Sequence, residues 1–245
     1  QISRSITNGS ALEEVLASSG RHEFFMKQSA GAHGHGAFVI TRSSGRYRFA
    51  NREGSADDIF RFACDTLPDG QCYLLQPRLR NERTLGGIMS REGLGTVRVV
   101  TLLKGGQVEM LAACVRLTVG ANVTDNFSVG TSGNLTASVD LDSGCLGPAF
   151  GSVSRQWPQV RKFPVHPDSG QVIEGYVLPD WNTVLRVLVQ AHKAFPELRA
   201  IGWDVALTNV GPKILEANHS WDIQLLQVAH DHGFRTKLLE AMGPW

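Results

Sequence analysis

The stretch Ile201–Asp222, IGWDVALTNVGPKILEANHSWD, decides how the rest of the sequence is interpreted. Its apolar runs are bounded by Asn, Gly and Pro, a pattern that predicts a buried strand, a tight turn and a returning strand. Side chains alternate across a strand, so Glu216 and Asn218 project to the same side. A turn near residues 209–211 would bring Asp204 roughly opposite Glu216. The hairpin is therefore predicted to carry two carboxylates and an amide on one wall.

These three side chains form an all-oxygen set of the kind that binds Mg2+ on a nucleotide phosphate. Each also has a structural alternative. Asp204 could pair with an Arg, Glu216 could be solvated at a strand end, and Asn218 could cap a helix that begins near Trp221. Carboxylates on otherwise apolar strands are costly to bury without a partner. For Asp204 and Glu216 the sequence favours the metal-ligand interpretation, whereas for Asn218 the two interpretations are about equally supported.

The hairpin also resembles a known family. An Asp on one strand, followed by Glu-x-Asn at the end of the next, resembles the metal-binding strands of the ATP-grasp superfamily, and residues 202–218 are similar to its sugar-transfer-associated branch. Further agreement comes from Thr96–Val99, Asn126–Ser128, His166 and Pro167 with Gly170, and Gly175 with Pro179–Trp181. The resemblance covers about residue 24 to about residue 227. It implies an α+β ATP-grasp fold in which two lobes clasp the nucleotide.

The resemblance implies an N-terminal lobe over residues 1–76, with a glycine-rich phosphate loop, and a C-terminal lobe over residues 77–245, with the metal-binding strands. Pro77 ends an apolar run, which predicts a sheet edge or a connector between lobes. ATP-grasp proteins usually carry another α/β subdomain ahead of this region. The sequence opens at Gln1 without an initiator Met, so we interpret it as a fragment, a trimmed chain or the ordered part of a longer protein.

A glycine-rich segment over residues 28–36 lies between two predicted strands. Such a loop leaves its backbone N–H groups open to phosphate oxygens, and Lys27 at its entrance can supply a positive charge. Taken alone this is a weak signal, because most glycine-rich loops are turns. The resemblance assigns Lys27 a catalytic and ATP-binding role at the α- and β-phosphates. It assigns ATP phosphate contacts to the loop residues Ser29, Gly31, Gly34 and Gly36.

Two further ATP contacts are implied at the predicted connector. The resemblance places adenine and ribose there, and clefts between lobes are common binding places for a flat apolar base. We assign this contact to Gln76 and Leu79.

Two arginines lie on apolar strands. Arg98 is the one charge in a nearly continuous apolar run, and a buried guanidinium without an anion is expensive. The sequence therefore predicts an anion beside Arg98. Arg116 has a similar setting, for which substrate binding and a structural ion pair are about equally supported. Many ATP-grasp ligases have an Arg where this chain has Gly202, so the resemblance makes Arg98 the catalytic cation that stabilises the tetrahedral intermediate.

Substrate contacts are implied at two more positions. The branch carries Asn at the place of Asn126, which is expected to line the site. His166 lies in a polar, irregular segment over residues 155–180 that is too long for a plain connection and predicts a functional loop or a lid. An exposed loop His is the structural alternative to a substrate contact at His166.

Composition excludes several classes of partner. With 24 basic and 23 acidic residues the net charge is +1, which favours neither a nucleic acid nor an acidic membrane surface. No apolar run approaches the roughly 20 residues of a membrane span, and no leader is recognisable. The four cysteines have wide spacings within apolar stretches, which predicts buried free thiols in a reducing compartment. We therefore expect a soluble, cytoplasmic protein whose oligomeric state the sequence does not reveal.

The resemblance implies an ATP-dependent carboxylate–amine ligase that uses Mg2+. A substrate carboxylate would attack the γ-phosphorus, and an amine would displace phosphate from the resulting acyl phosphate. Catalysis of this kind is mainly positioning and charge neutralisation, which agrees with the lack of a recognisable Ser-His-Asp or Cys-His pattern. The substrates are expected to be small carboxylates and amines, on a saccharide or an amino-acid-derived metabolite. A phosphotransferase acting on a hydroxyl group and a non-catalytic nucleotide-binding module remain as alternatives.

Overall fold

A computed structural model describes residues 5–30 and 36–242 of the 245-residue chain. The chain divides into two compact units, with the boundary between Leu79 and Arg80. In the described ranges each unit contains one antiparallel sheet and its own helices. Both units are of the α+β class that the sequence predicts.

Over residues 5–30 and 36–79 the first unit shows two helices and a five-stranded sheet. In chain order its elements are α1 (Gly9–Ser18), β1 (Glu23–Gln28), β2 (Phe38–Ser43), β3 (Arg46–Phe49), β4 (Arg52–Gly54), α2 (Ala56–Thr66) and β5 (Tyr73–Pro77). The strand order is β4-β3-β2-β1-β5. Pro77 thus ends an edge strand, where its missing N–H removes no hydrogen bond from the interior of the sheet.

Alternation along the strands builds the core of this unit. Phe24 and Met26 of β1 are buried, whereas Lys27 is half-buried. The core also contains Leu16 of α1 and Ile59 of α2. Lys27 therefore lies on the sheet face away from Phe24 and Met26.

The second unit is built on a seven-stranded sheet. In chain order its elements are β6 (Thr96–Lys104), β7 (Gln107–Leu117), β8 (Leu135–Val139), β9 (Leu146–Ser152), β10 (Val160–Phe163), α3 (Trp181–His192), β11 (Ala200–Thr208), β12 (Gly211–Asn218), α4 (Ile223–His230) and α5 (Arg235–Met242), with 3-10 turns at Arg83–Gly87 and Ser128–Gly130. The strand order is β10-β9-β8-β7-β6-β11-β12, and all pairs are antiparallel. The last hairpin, β11–β12, therefore lies beside β6.

The two faces of this sheet have different coverings. Trp203 and Val205 of β11 join α3 in one apolar core. On the other face, α4 and Phe127 cover Cys114 of β7 in a second core. Asp204 lies between Trp203 and Val205, so it projects to the same face as Cys114. That face is apolar at one end of β6 and β7 and polar at the other.

The predicted irregular segment over residues 155–180 is more ordered than expected. It contains β10, so the expectation of irregular structure is wrong for that strand. Ile173 and Leu178 are buried in the α3 core. Much of the segment is thus part of the packed unit.

The four cysteines are all free thiols. Cys114 is buried and Cys145 is half-buried, but Cys64 and Cys72 are exposed. The prediction of burial is wrong for those two, because membership of an apolar run does not fix which side of a helix or strand faces the core.

No helix in the described ranges has the length and apolar character needed to cross a membrane.

Candidate functional site

The candidate site is centred on Asp204, whose side chain is 4% exposed. In the sheet, Asp204 is paired with Arg98 of β6 on one side and with Glu216 of β12 on the other. The register of the hairpin shifts just after Asp204, so that Val205 pairs with Ile214 and Leu215 forms a bulge. The predicted hairpin and its Asp204–Glu216 pairing are confirmed.

Two arginines bind the Asp204 carboxylate. Arg98 donates through Nε to Oδ1 and through Nη2 to Oδ2, the latter at 2.9 Å. Arg116 of β7 places Nη2 2.8 Å from the same Oδ2. Their side chains are only 8% and 11% exposed. The anion expected beside Arg98 is thus a carboxylate of the chain itself, and both structural alternatives, an Arg partner for Asp204 and an ion pair for Arg116, are present.

A second carboxylate, Asp125, lies on the far side of Arg116. Its Oδ2 is 3.1 Å from Arg116 Nε and accepts a hydrogen bond from the Thr96 hydroxyl group. Arg116 also donates to the Thr96 oxygen. Arg116 is therefore held between two aspartates.

Burial and charge act in opposite directions on these groups. Burial alone would raise the pKa of Asp204, but Arg116 and Arg98 outweigh it and lower that pKa to about 2. Burial raises the pKa of Asp125, and Arg116 offsets part of this change. Burial alone would lower the pKa of Arg116, but the carboxylates of Asp125 and Asp204 raise it further above its usual range. The four charges sum to zero, so the cluster is a neutral pair of ion pairs.

The three predicted metal ligands lie together. Glu216 is exposed on β12 and accepts a hydrogen bond from Asn218 Nδ2 at 3.2 Å. Because the Asn218 nitrogen is used in this way, its amide oxygen is the atom suited to a metal. Among the described residues no cluster of three or more His, Cys, Asp or Glu side chains could hold a metal ion, so the predicted metal site depends on the Asn218 amide oxygen as well as the two carboxylates.

This donor set fits Mg2+. The ion usually binds proteins through one or two carboxylates and completes its shell with water and substrate phosphates. Asp204 and Glu216 supply two carboxylates, and with the neutral arginine–aspartate cluster the site carries a net charge of about −1, from Glu216. Such a site suits a cation that arrives with its own anions.

Gly202 is closed to larger side chains. A Cβ atom there would lie 2.4 Å from the Cβ of Trp221 and 3.4 Å from the Cδ of Arg98. The cation that many ATP-grasp ligases carry at this position therefore has no room, and Arg98 is the positive group beside it.

The structure places the other two predicted substrate residues differently. Asn126 follows Asp125 directly, is half-buried and donates to Ser128 Oγ at 2.7 Å. His166 is completely buried, with Nε2 2.9 Å from the carbonyl oxygen of Thr118 and Nδ1 3.4 Å from the Asp168 nitrogen. The structural alternative, an exposed loop His, is wrong, because the ring is buried and both of its nitrogens are occupied within the chain. A substrate contact by His166 remains a prediction.

The segment after Asn126 is strained. Ser128, Val129 and Gly130 have φ angles of 43°, 52° and 82°. A β-branched residue such as Val129 rarely adopts a positive φ, and strain of this kind often marks functional loops.

The predicted nucleotide residues lie in the first unit. Lys27 is half-buried at the end of β1, opposite Leu74 of β5. Ser29 donates its N–H to the carbonyl oxygen of Cys72 and accepts the Cys72 N–H on Oγ, so its amide is engaged. Gly36 has a φ of 70°, and a Cβ there would lie 2.6 Å from Gln28 Nε2.

Gln76 is exposed on β5 and Leu79 is half-buried. Gly31 and Gly34 lie outside the described residues. All of these contacts with ATP remain predictions.

Sequence reasoning missed Asp125 and the role of Thr96. Thr96 is the first residue of Thr96–Val99, which the resemblance singles out, and Asp125 directly precedes Asn126, which it also singles out. The available signal was a carboxylate next to an expected site residue, combined with a buried Arg that needed an anion.

The sequence matches a family model described as sugar-transfer associated ATP-grasp over residues 3–243. A comparison with curated proteins found no match. Among solved structures, the crystal structure of D-cycloserine synthetase DcsG shares 13% identity, covers 96% of this chain and 60% of that chain, and gives a TM-score of 0.42. The chain thus spans 60% of the length of that protein.

Proposed function

Because the chain belongs to the sugar-transfer associated ATP-grasp family, which confirms the predicted fold class, we propose that it acts as an ATP-dependent carboxylate–amine ligase. The observation that carries the proposal is the convergence of Asp204, Glu216 and Asn218 beside two buried arginines. The substrates are a small carboxylic acid and an amine, on a saccharide or an amino-acid-derived compound.

In this proposal Asp204, Glu216 and Asn218 hold Mg2+ through their oxygen atoms. When bound, the ion supplies charge neutralisation at the β- and γ-phosphates of ATP. Asp204 stays ionised at every physiological pH because its pKa is about 2. Glu216, as the exposed member, adds the negative charge that the neutral arginine–aspartate cluster does not provide.

Arg98 places a fixed positive charge beside the reacting groups. Its Nε and Nη2 groups hold Asp204, so Nη1 is the part of the guanidinium that would face the carboxylate oxygens of the substrate. A charge of this kind, fixed before reaction in a dry setting, stabilises an oxyanion more than a mobile one in water. The substrate carboxylate attacks the γ-phosphorus, ADP leaves, and an amine then displaces phosphate from the acyl phosphate.

Isothermal titration calorimetry tests the metal assignment. ATP is titrated with and without Mg2+ into the wild-type chain, into Glu216→Ala and into Glu109→Ala, a control at an exposed position of β7. We expect Mg2+-dependent binding in the wild type and the control, and a loss of about tenfold or more in Glu216→Ala. Binding by Glu216→Ala equal to that of the wild type would contradict the assignment.

Product analysis then tests the reaction class. Carboxylic acids and amines are screened for release of ADP and phosphate. An amide product supports the ligase, whereas a stable phosphate ester on a hydroxyl compound would identify a phosphotransferase instead.

A further inference from the structure

We propose that Asp125 is a positioning residue that acts through Arg116 to keep the Asp204 carboxylate able to bind Mg2+. This inference rests on the proposed function and assigns a role to a residue outside the predicted ligand set. Arg116 connects Asp125 to the proposed ligand Asp204, with Nε 3.1 Å from the former and Nη2 2.8 Å from the latter.

The geometry divides Arg116 between two carboxylates. Its Nη2 is 2.8 Å from Asp204, and its Nε is 3.1 Å from Asp125. The hydroxyl of Thr96 donates to Asp125 and accepts from Arg116, so it fixes the angle at which the two meet. Without Asp125, Asp204 would be the carboxylate partner left to Arg116.

The net charge around Asp204 depends on whether Asp125 is present and ionised. With Asp125 ionised, two arginines and two aspartates cancel. Without that charge, a net positive charge would lie directly behind the metal ligand Asp204. The side chains of Arg116, Asp125 and Asp204 are 11%, 14% and 4% exposed, so water and salt screen this charge poorly. Without Asp125, Arg116 would be left to pair with Asp204 alone, and the cluster would carry an uncompensated positive charge. Both changes would oppose the binding of a cation.

The backbone on either side of Asp125 is held in place. The side chain of Asn134, which is 1% exposed, donates from Nδ2 to the carbonyl oxygens of Thr124 and Asn126 at 3.0 Å and 2.8 Å. The same Asn134 accepts the Val119 N–H at 3.0 Å on its Oδ1. Asp125 therefore has a fixed position before any ligand binds, which a positioning residue requires.

The test is calorimetric titration of ATP at several Mg2+ concentrations with the wild-type chain and Asp125→Asn. Outer-shell partners of metal ligands typically change metal affinity about 10–100-fold, and we expect Asp125→Asn to raise the required Mg2+ concentration by a factor in this range. ATP binding without Mg2+ should change much less. Asp231→Asn is the matched control, because Asp231 is 67% exposed and 4.0 Å from Lys162.

A double variant separates positioning from mere structural support. Asp125→Asn with Arg116→Gln removes one negative and one positive charge, which restores the net charge around Asp204. We expect its Mg2+ requirement to return towards that of the wild type. If the double variant is as weak as Asp125→Asn or weaker, the inference is overturned.

A variant that fails to fold can be distinguished from one that folds but binds Mg2+ poorly. If thermal unfolding shows that Asp125→Asn does not fold, Thr96→Val serves instead, because it keeps every charge and removes the hydroxyl between Asp125 and Arg116. A several-fold higher Mg2+ requirement is expected there, and an unchanged requirement overturns the inference. Loss of the proposed function itself would appear in the wild type, as a lack of any Mg2+-dependent ATP binding.

Discussion

The carboxylate of Asp204 pairs with two arginines and is also a proposed metal ligand. A carboxylate has about four lone-pair positions, and Arg98 and Arg116 use three of them. Asp204 can therefore offer a metal ion one oxygen lone pair, on Oδ1, without giving up an arginine. Glu216, exposed and opposite it, is the second carboxylate of the proposed metal site.

The stability contributed by Asp204 should depend on pH in a defined direction. Its pKa of about 2 lies below the unperturbed value of 3.8, so its stabilising effect is fully present above about pH 4 and is lost as the pH falls towards 2. At pH 7 we expect Asp204→Asn to lower the free energy of unfolding by about 3–5 kcal/mol, because it removes a buried carboxylate from two arginines. Urea unfolding at pH 7, 5, 4 and 3 should show the difference narrowing only below about pH 4. A difference that is constant down to pH 3 would contradict the low pKa.

At the scale of one element, the β11–β12 hairpin is largely predictable. Apolar runs around Asn209 and Gly211 specify two strands and a short turn, and alternation then places Asp204 opposite Glu216. The bulge at Leu215 carries no sequence signal, because any residue can be the extra one in a strand. Asp125 was not predictable by periodicity, since it lies in an irregular segment between two strands.

The loop that follows Asn126 depends on one glycine. A Cβ on Gly130, where φ is 82°, would lie 2.4 Å from the backbone nitrogen of Ser152 in β9. Gly106, in the turn between β6 and β7, has a φ of 80°, but in the described part of the chain such a Cβ would meet no atom within 4 Å apart from its two chain neighbours. The two positions therefore share a positive φ, which only glycine adopts without strain, and differ in the space available.

This pair gives a prediction for the element. Gly106→Ala should lower the free energy of unfolding by about 1 kcal/mol, because L-residues disfavour a positive φ. Gly130→Ala should cost about 1–3 kcal/mol more, because the added methyl group displaces backbone. Urea unfolding of both variants measures the difference. Equal losses would mean that the loop moves away from Ser152 without cost.

At the scale of the whole molecule, the site depends on contacts that local patterns do not contain. Arg98 and Asp204 are 106 residues apart and meet only because β11 pairs with β6. The sequence indicated that Arg98 needs an anion but could not say that the anion is Asp204. The order of the strands is set by the packing of the whole sheet. Patterns within a single strand therefore do not predict which ion pairs form between strands that are distant in the sequence.

The two units have separate cores, which leads to a prediction for the whole chain. Leu16 of α1 and Leu188 of α3 are both completely buried on helices, the first in the core of the first unit and the second in a core of the second. Each Leu→Ala substitution should remove about 2–5 kcal/mol, because it leaves a cavity. Since the described residues of each of these cores come from a single unit, we expect two unfolding transitions in a calorimetric scan, with Leu16→Ala lowering the midpoint of one and Leu188→Ala that of the other. The unit up to Leu79 should unfold first, because smaller units bury a smaller fraction of their surface. A single transition lowered equally by both substitutions would mean that the two units unfold as one cooperative body.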